Sequence, residues 1–306
     1  MTPPDASGGG APTMDRVTDS PALRAESIIW ILGHTRTGST WLAEMMRDLP
    51  RHAMWSEPLI GQMFGDFYYR MEGDYRGRAF IFGPPLREVW LRNIGSMVLD
   101  GATARFPRIA ENGGYVVVKD PHSSMGAPLL SEALPESRFI FLIRDPRDMV
   151  ASALDAHQKD SWVSKNPIRQ KAGVESKPGS AQKNPDAFVK SRAETVLDHL
   201  NRVSEAFAAH TGPKALVRYE DLRADPLGEM WSIYSALDIE VNEERLVASV
   251  EEHDWDRIPE EEKGPGKRNR KATPGGWRED LTDEQAQIVA EITSPILDVF
   301  YPGGGA

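Results

Sequence analysis

Residues 27–46 read SIIWILGHTRTGSTWLAEMM. The first part is a short apolar run that ends at Gly33, which predicts a buried β-strand. The last part carries apolar residues at helical spacing, so it predicts an α-helix that ends by Pro50. A glycine-containing loop therefore joins the end of a strand to the start of a helix. Such a unit is typical of α/β proteins that hold an anion at a helix N-terminus.

Three later apolar runs also predict strands, at residues 115–118, 139–143 and 215–217. Helices are predicted at residues 146–155, 187–210, 227–237, 242–251 and 283–299. Strands that are apolar on both faces and alternate with helices are typical of a covered parallel sheet. The sequence therefore predicts an α/β protein: a three-layer fold with a central parallel sheet flanked by helices.

The composition limits the functions that need to be considered. The 306 residues contain 36 Lys and Arg against 46 Asp and Glu, a formal net charge of −10, which disfavours a general nucleic-acid binder. There is no cysteine, so disulfides, cysteine nucleophiles and cysteine-based zinc sites are excluded. The longest apolar stretch, residues 28–32, is far shorter than the ~20 residues of a membrane helix. We expect a cytoplasmic protein with no nucleic-acid or membrane partner.

The chain is expected to form one domain over residues 26–302. Residues 1–25 are rich in Pro, Gly, Ser, Thr and Asp and are predicted to be a disordered tail. Residues 158–186 and 260–277 are long and polar, and they are predicted to be flexible loops. Residues 303–306 are predicted to be a frayed end.

The loop after the first strand has the glycine spacing of a phosphate-binding loop. Gly33 and Gly38 match G-x-x-x-x-G, but Ser39 stands where the Walker A motif has Lys. Backbone N–H groups of such a loop hold a phosphate-like anion, and here the cation is Arg36. The missing Lys disfavours a triphosphate hydrolase. From this loop alone, a strand–helix turn without a ligand is equally compatible with the sequence.

Two later segments carry further basic residues. Arg144 lies at the carboxyl end of the third predicted strand, the edge where α/β sheets bind ligands. Ser152 follows about two helical turns later and is placed to share an anion with Arg144. Arg270 and Lys271 lie in a late glycine-containing loop that is able to close over a phosphate, although taken alone this loop reads as a solvated basic segment.

Together these segments resemble the sulfotransferases that use 3′-phosphoadenosine 5′-phosphosulfate (PAPS). Residues 36–41, RTGSTW, are similar to the family's K/R-S-G-T-T-W, and residues 144–152 fit R-x-P-x-D-x-x-x-S. Residues 270–279 resemble R-K-G-x-x-G-D-W-K-N more loosely, with departures at Ala272 and Gly276. Residues 217–221 resemble the family's hydrophobic-x-Y-E-D segment. The motif style is closest to bacterial and tyrosylprotein sulfotransferases, which include members with Arg in the phosphosulfate loop.

The resemblance implies a P-loop NTPase-like sulfotransferase fold and an enzyme that uses PAPS as co-substrate, without a metal. It implies that residues 36–40 hold the phosphosulfate, Trp41 stacks on adenine beside Tyr219, and Arg144 and Ser152 hold the 3′-phosphate. The implied nucleotide-binding residues are Arg36, Thr37, Gly38, Ser39, Thr40, Trp41, Arg144, Ser152, Tyr219, Arg270 and Lys271.

The resemblance also implies catalytic positions. Arg36 is expected to stabilise the leaving oxygen as an electrostatic clamp. A general base must take the proton of the acceptor hydroxyl or amine. Glu57, in W-S-E-P, is the favoured base, with Lys119 supporting the transition state, and His122, in K-D-P-H, is the second candidate base. A helix-capping or arginine-paired Glu57 and a structural His122 stay open as alternatives.

The acceptor is expected to be a small molecule. Aromatic residues between 60 and 106 could line an aromatic or lipid-like acceptor site, although most are expected to be core: Phe64, Phe67, Tyr68, Tyr69, Tyr75, Phe80, Phe82 and Trp90. Two other functions are kept as alternatives, a kinase-like P-loop nucleotide-binding enzyme and a non-catalytic nucleotide-binding module.

Overall fold

The computed structural model describes residues 21–70, 80–158, 161–163, 180–267 and 269–303. Five parallel strands form one sheet in the order β2-β3-β1-β4-β5. The strands are β1 (Ile28–Gly33), β2 (His52–Ser56), β3 (Tyr115–Lys119), β4 (Arg138–Ile143) and β5 (Lys214–Arg218). The central position of β1 places the loop that follows it at the point where the chain switches from one side of the sheet to the other.

The strand β2 was not predicted. Its sequence, HAMWS, contains no continuous apolar run, because β2 is an edge strand whose residues are only half-buried or exposed. It pairs with β3 in a register that runs from His52 opposite Tyr115 to Ser56 opposite Lys119. The carboxyl ends of β2 and β3 therefore lie side by side.

Helices cover both faces of the sheet. They are α1 (Ser39–Arg47), α2 (Ile60–Arg70), α3 (Arg87–Arg105), α4 (Pro107–Asn112), α5 (Ala127–Ala133), α6 (Pro146–Ala156), α7 (Ser180–Lys183), α8 (Pro185–Ala209), α9 (Tyr219–Ala224), α10 (Pro226–Ala236), α11 (Glu243–Glu252), α12 (Trp277–Asp280), α13 (Asp283–Ile292) and α14 (Ser294–Phe300). None of these helices is long and apolar enough to cross a bilayer.

Two helical predictions needed correction. The helix predicted at residues 283–299 is two helices, α13 and α14, because Pro295 lacks the N–H that a continuous helix needs. Residues 180–186, predicted as loop, form α7 and the start of α8. Asn184 caps α8 by accepting a hydrogen bond from the Ala187 N–H, and Pro185 occupies the first turn.

Side chains of β1 alternate between two hydrophobic cores. Trp30 and Leu32 pack into a core shared with α3, α5, α8 and α13. Ile29 and Ile31 point to the opposite face and pack into a second core shared with α1, α10 and α11. The layers are therefore helix, sheet and helix, and the predicted three-layer α/β fold is confirmed.

The prediction of a disordered tail over residues 1–25 needs correction for its last residues. Residues 1–20 lie outside the described residues, but Leu23 is buried, and its N–H donates a hydrogen bond to the Thr103 hydroxyl at 3.0 Å. Burial of this apolar side chain in the core stabilises the segment that leads into β1. Much of the loop predicted at residues 158–186, namely 159–160 and 164–179, also lies outside the described residues, as do residues 304–306.

Most of the aromatic residues between 60 and 106 belong to the core. Tyr68, Phe80 and Phe82 are buried, whereas Phe67 is 52% exposed and Tyr75 lies outside the described residues. Three more are half-buried against the same core: Phe64, Tyr69 and Trp90. These rings stabilise the packing of α2 and α3.

Candidate active site

The loop after β1 wraps tightly before α1 begins. Arg36 and Gly38 have the positive φ angles 72° and 84°. A Cβ on Gly38 would lie 2.7 Å from Cδ2 of Tyr219, so glycine is required by both conformation and space. The Thr37 hydroxyl donates to the His34 carbonyl at 2.9 Å and closes the loop on itself. The loop thus directs the N-terminus of α1 towards the carboxyl edge of the sheet.

Two cavities lie on either side of this loop. The first cavity, about 470 Å³, lies between α1, α9 and the segment 252–272. The second cavity, about 540 Å³, lies between the carboxyl ends of β2 and β3 and the helices α2, α6 and α8. Arg36, Ser39 and Thr40 line both cavities, so the loop and the start of α1 form a shared wall.

The first cavity brings together all of the expected nucleotide-binding residues except Thr37, whose buried side chain holds the loop. They are Arg36, Gly38, Ser39, Thr40, Trp41, Arg144, Ser152, Tyr219, Arg270 and Lys271. The Arg36 Nε donates to the Ser152 hydroxyl at 2.8 Å, which links the loop to α6. The Trp41 ring lies 6.4 Å from the Tyr219 ring at an interplanar angle of 71°, and its Nε1 donates to the His253 carbonyl at 2.8 Å.

Arg144 lies at the end of β4 and is almost completely buried. Its guanidinium carbon lies 4.4 Å from the centre of the Tyr219 ring, and its Nη1 donates to the Arg36 carbonyl at 3.3 Å. Its Nη2 lies 3.6 Å from the Asp148 carboxylate. The buried Nε of Arg144 has no hydrogen-bond partner among the described residues. A buried cation with an unused donor is suited to an anionic ligand.

Asp148, expected from the sequence only to orient its own loop, connects two segments of the first cavity. Its fully buried carboxylate accepts hydrogen bonds from the Gly275 N–H at 2.8 Å and the Trp277 N–H at 2.9 Å. Arg147 stacks over the Trp277 ring at 4.3 Å. These contacts fasten the late basic loop to α6. The only signal in the sequence was the Asp of the R-x-P-x-D segment.

Arg270 and Lys271 line the first cavity from that late loop. The Arg270 guanidinium lies 2.6 Å from the Asp280 carboxylate, and the Lys271 ammonium lies 2.9 Å from Glu279. The buried Nε of Arg270 has no hydrogen-bond partner among the described residues. The two basic side chains are therefore held at the rim by α12, with donor capacity left towards the cavity.

The second cavity brings together Glu57, Lys119 and His122, the three remaining predicted catalytic residues. The Lys119 Nζ lies 2.6 Å from Glu57 Oε1, with the Lys119 side chain 3% exposed and that of Glu57 26% exposed. This contact follows from the pairing of β2 with β3, because the Glu57 N–H donates to the Lys119 carbonyl at 2.8 Å. Lys119 is thus a partner of the Glu57 carboxylate.

Three further histidines line the second cavity: His34, His157 and His199. Burial lowers the pKa of His157 to about 4, and the nearby Arg192 charge acts in the same direction. Burial also lowers the pKa of His199 to about 4 and the pKa of His34 well below its usual value. These rings are neutral at pH 7. His34 belongs to the glycine loop, where it was expected to have a packing role, whereas no sequence pattern indicated His157 or His199, which come from separate elements.

Among the residues that the structure describes, no group of three or more His, Asp or Glu side chains is arranged to hold a metal ion.

The sulfotransferase family model matches residues 29–243 of this chain. The chain belongs to the sulfotransferase family. The match covers most of the sheet and all three predicted catalytic positions of the second cavity. The prediction that the chain is a member of a sulfotransferase family is confirmed. The search of curated protein sequences found no match.

Two solved structures show the same fold. Mouse sulfotransferase SULT7A1, crystallised with PAP (3′-phosphoadenosine 5′-phosphate), is similar over 94% of this chain and 88% of its own chain, with 16% identity and a TM-score of 0.56. Mycobacterium avium sulfotransferase STF9 is similar over 91% of this chain and 78% of its own, with 15% identity and a TM-score of 0.51. At these identities the likeness shows the P-loop-like sulfotransferase fold.

Proposed function

We propose that this sulfotransferase moves a sulfuryl group from PAPS, bound in the first cavity, to a hydroxyl or amine of a small-molecule acceptor in the second cavity. The observation that carries the proposal is the shared wall: Arg36, Ser39 and Thr40 line both cavities. A sulfuryl group that moves from a donor in the first cavity to an acceptor in the second must pass these residues. In-line displacement needs such an arrangement, with donor and acceptor on opposite sides.

The residues of the first cavity fit PAPS. Its cations are Arg36, Arg144, Arg223, Arg257, Arg270 and Lys271. Unpartnered buried Nε atoms of Arg144 and Arg270 offer hydrogen bonds to anionic oxygens. The N-terminus of α1 adds a positive field at the loop. The Trp41 and Tyr219 rings offer an aromatic surface for adenine.

PAPS supplies the sulfuryl group. A bond forms between the acceptor oxygen and sulfur while the bond between sulfur and the bridging oxygen of the 5′-phosphate breaks. The leaving group is PAP, which keeps that oxygen. Negative charge grows on the leaving oxygen, and a fixed cation lowers the barrier. Arg36 is the residue for this task because it lines both cavities and stays charged at all working pH values.

Glu57 is the favoured base. Its carboxylate lies in the second cavity beside Lys119, so it faces the space that an acceptor would fill. It takes the hydroxyl proton as the acceptor oxygen bonds to sulfur. Lys119 stays close to both the carboxylate and the reacting groups and supports the charge that moves between them. His122 also lines the second cavity and is the second candidate base.

The nucleotide part of the proposal is tested by ligand-induced stabilisation. A ligand that binds only the native state at about 100 times its Kd adds roughly 2.7 kcal/mol to the free energy of unfolding. We expect PAP to raise Tm clearly and adenosine 5′-phosphate, which lacks the 3′-phosphate, to raise it much less. The kinase-like alternative predicts the largest shift with ATP and Mg²⁺. A larger shift with ATP and Mg²⁺ than with PAP would overturn the proposal.

The transfer part is tested by following labelled sulfate from PAPS to an acceptor. The non-catalytic alternative predicts stabilisation by PAP without any sulfated product. Stabilisation by PAP together with labelled product supports the proposed function.

A further inference from the structure

We infer that the acceptor is a small polyhydroxylated molecule of the carbohydrate type; this rests on the function proposed above. The second cavity has a volume of about 540 Å³, in the range of small-molecule pockets. Its lining includes side chains that can accept hydrogen bonds, among them Gln62, Asp66 and His157. The chemistry of those acceptors decides which ligand fits.

Several buried atoms in the lining have no hydrogen-bond partner among the described residues. Gln62 Oε1, His157 Nε2 and His199 Nδ1 are among them. Buried polar atoms in folded proteins are nearly always hydrogen-bonded, so a cluster of unpartnered atoms around one cavity indicates a ligand that completes them.

The hydrogen-bonding role of His157 is set by its other nitrogen. The His157 Nδ1 lies 2.8 Å from the Ala153 carbonyl oxygen, which only accepts hydrogen bonds. The ring proton of the neutral imidazole is therefore on Nδ1, and Nε2 is an acceptor. Gln62 Oε1 is an acceptor as well. Both atoms need a donor, and a hydroxyl group is the donor that a small acceptor substrate most readily provides.

The charged groups of the cavity agree with a ligand that has several hydroxyls. Glu57 and Asp66, whose carboxylates are hydrogen-bond acceptors, line the cavity together with Lys119 and Arg192, which are donors. A molecule with many O–H groups both donates and accepts, so it can satisfy both sets. An aromatic or lipid-like acceptor cannot, and it would leave buried acceptors unpaired.

Trp162 lines this cavity, but three of the aromatic side chains between residues 60 and 106 do not. Tyr68, Phe80 and Phe82 are buried in the core, where they contact one another. These three rings therefore stabilise the fold and are not available to an acceptor.

The inference is tested with labelled PAPS and two classes of probe. One class consists of methyl β-glucoside, methyl β-galactoside and N-acetylglucosamine, and the other consists of 4-nitrophenol and 2-naphthol. We expect labelled sulfate on at least one sugar probe, at a kcat/KM about tenfold or more above that of either phenol, since polar sites discriminate strongly against ligands that leave them unpaired.

Label on the phenols alone, or on neither class, overturns the inference. Stabilisation by PAP, measured on the same protein, reports on the proposed function separately. When PAP stabilises the protein and only phenols are labelled, the inference fails and the proposed function stands. When PAP has no effect, the proposed function itself fails.

Variants of the acceptor-lining residues give a second readout. We expect Gln62→Leu to raise KM for the sugar probe by about tenfold, with the Kd for PAP unchanged, because Gln62 does not line the first cavity. Gln287→Leu is the matched control, since Gln287 is exposed on α13 and pairs with Glu291 at 2.8 Å. His157→Phe is expected to act like Gln62→Leu. An unchanged KM in both variants of the cavity overturns the inference.

Discussion

The two cavities are built in different ways although they share a wall. The first is assembled from contiguous segments: the loop after β1, the end of β4 with α6, and the late basic loop. Its cations are held by carboxylates, as Arg144 is by Asp148 and Arg270 by Asp280. The second is assembled from single residues on separate elements, and its buried histidines are neutral.

Under the proposed function, this difference follows from the chemistry of the ligand that each cavity binds. Phosphate and sulfate groups are recognised by charge and by backbone N–H groups, which one loop at a helix N-terminus supplies together. An uncharged acceptor is recognised by side chains placed one at a time around it. The first cavity therefore depends on local sequence, and the second depends on how the whole chain folds.

Loss of the base is expected to have the largest effect. Glu57→Gln keeps the shape of the side chain but removes the carboxylate that takes the acceptor proton, so kcat should fall about 10³-fold. His122→Gln is the matched comparison and should lower kcat by less than about tenfold. Both rates are measured with labelled PAPS and the best acceptor probe, on protein that PAP still stabilises. The reverse order of effects would make His122 the base.

Loss of the cation in the shared wall is expected to be the next largest effect. Arg36→Ala removes the charge that stabilises the leaving oxygen, and kcat should fall about 10²-fold. Arg257→Ala is the control, since Arg257 also lines the first cavity but forms an exposed ion pair with Glu252 at 3.1 Å. It should change kcat no more than about threefold. An equal kcat in the two variants would show that the position of Arg36 between the two cavities gives it no special role in transfer.

The sequence predicted the first cavity well because its chemistry lies in short segments. RTGSTW at residues 36–41 and the Arg144 segment both carry strand-end and helix-start signals, and all of the predicted nucleotide-binding residues except Thr37 line that cavity. The central sheet was predictable for the same reason: four of its strands are continuous apolar runs.

The second cavity was predicted only in part. Glu57, Lys119 and His122 were found through resemblance, but His157 follows α6 and His199 lies within α8, and no spacing along the chain connects them. The strand β2, whose pairing with β3 brings Glu57 to Lys119, was missed because an edge strand needs no apolar run. The acceptor-lining side chains come together only through tertiary packing.

The stability of an Asp148 variant tests whether the first cavity is held together by this carboxylate. In Asp148→Asn, the buried Arg144 loses its carboxylate, and one of the two late-loop N–H groups loses its acceptor. We expect the free energy of unfolding to fall by about 3 kcal/mol in urea. Asp221→Asn is the control, since Asp221 pairs with Arg218 at 3.6 Å on the surface, and it should change stability by less than about 0.5 kcal/mol. Equal stability of both variants would mean that this carboxylate does not hold the late loop.

The smallest expected effect concerns the pH dependence of stability, and it bears on the neutral histidines of the second cavity. The pKa of His157 is about 4 in the folded protein, below the usual value of 6.5, mainly because of burial. Between these values the unfolded chain binds more protons than the native one, so this group lowers stability as the pH falls through that window. Asp120 acts in the opposite direction, because burial raises its pKa to about 6 and the native state binds more protons between its ordinary value and pH 6.

The wild-type pH profile contains these opposing contributions together with those of other titrating groups, so a variant is needed to separate them. His157→Gln removes only the histidine contribution and should make the loss of unfolding free energy between pH 6 and pH 4.5 smaller by about 2 kcal/mol. Urea unfolding of both proteins at several pH values measures this difference, with pH 7.5 as the reference at which the histidine is uncharged in both states. Parallel profiles for the two proteins would mean that His157 titrates normally in the folded state. The second cavity would then gain positive charge near neutral pH, and it would no longer differ from the first cavity in the way that favours an uncharged, hydroxyl-rich acceptor.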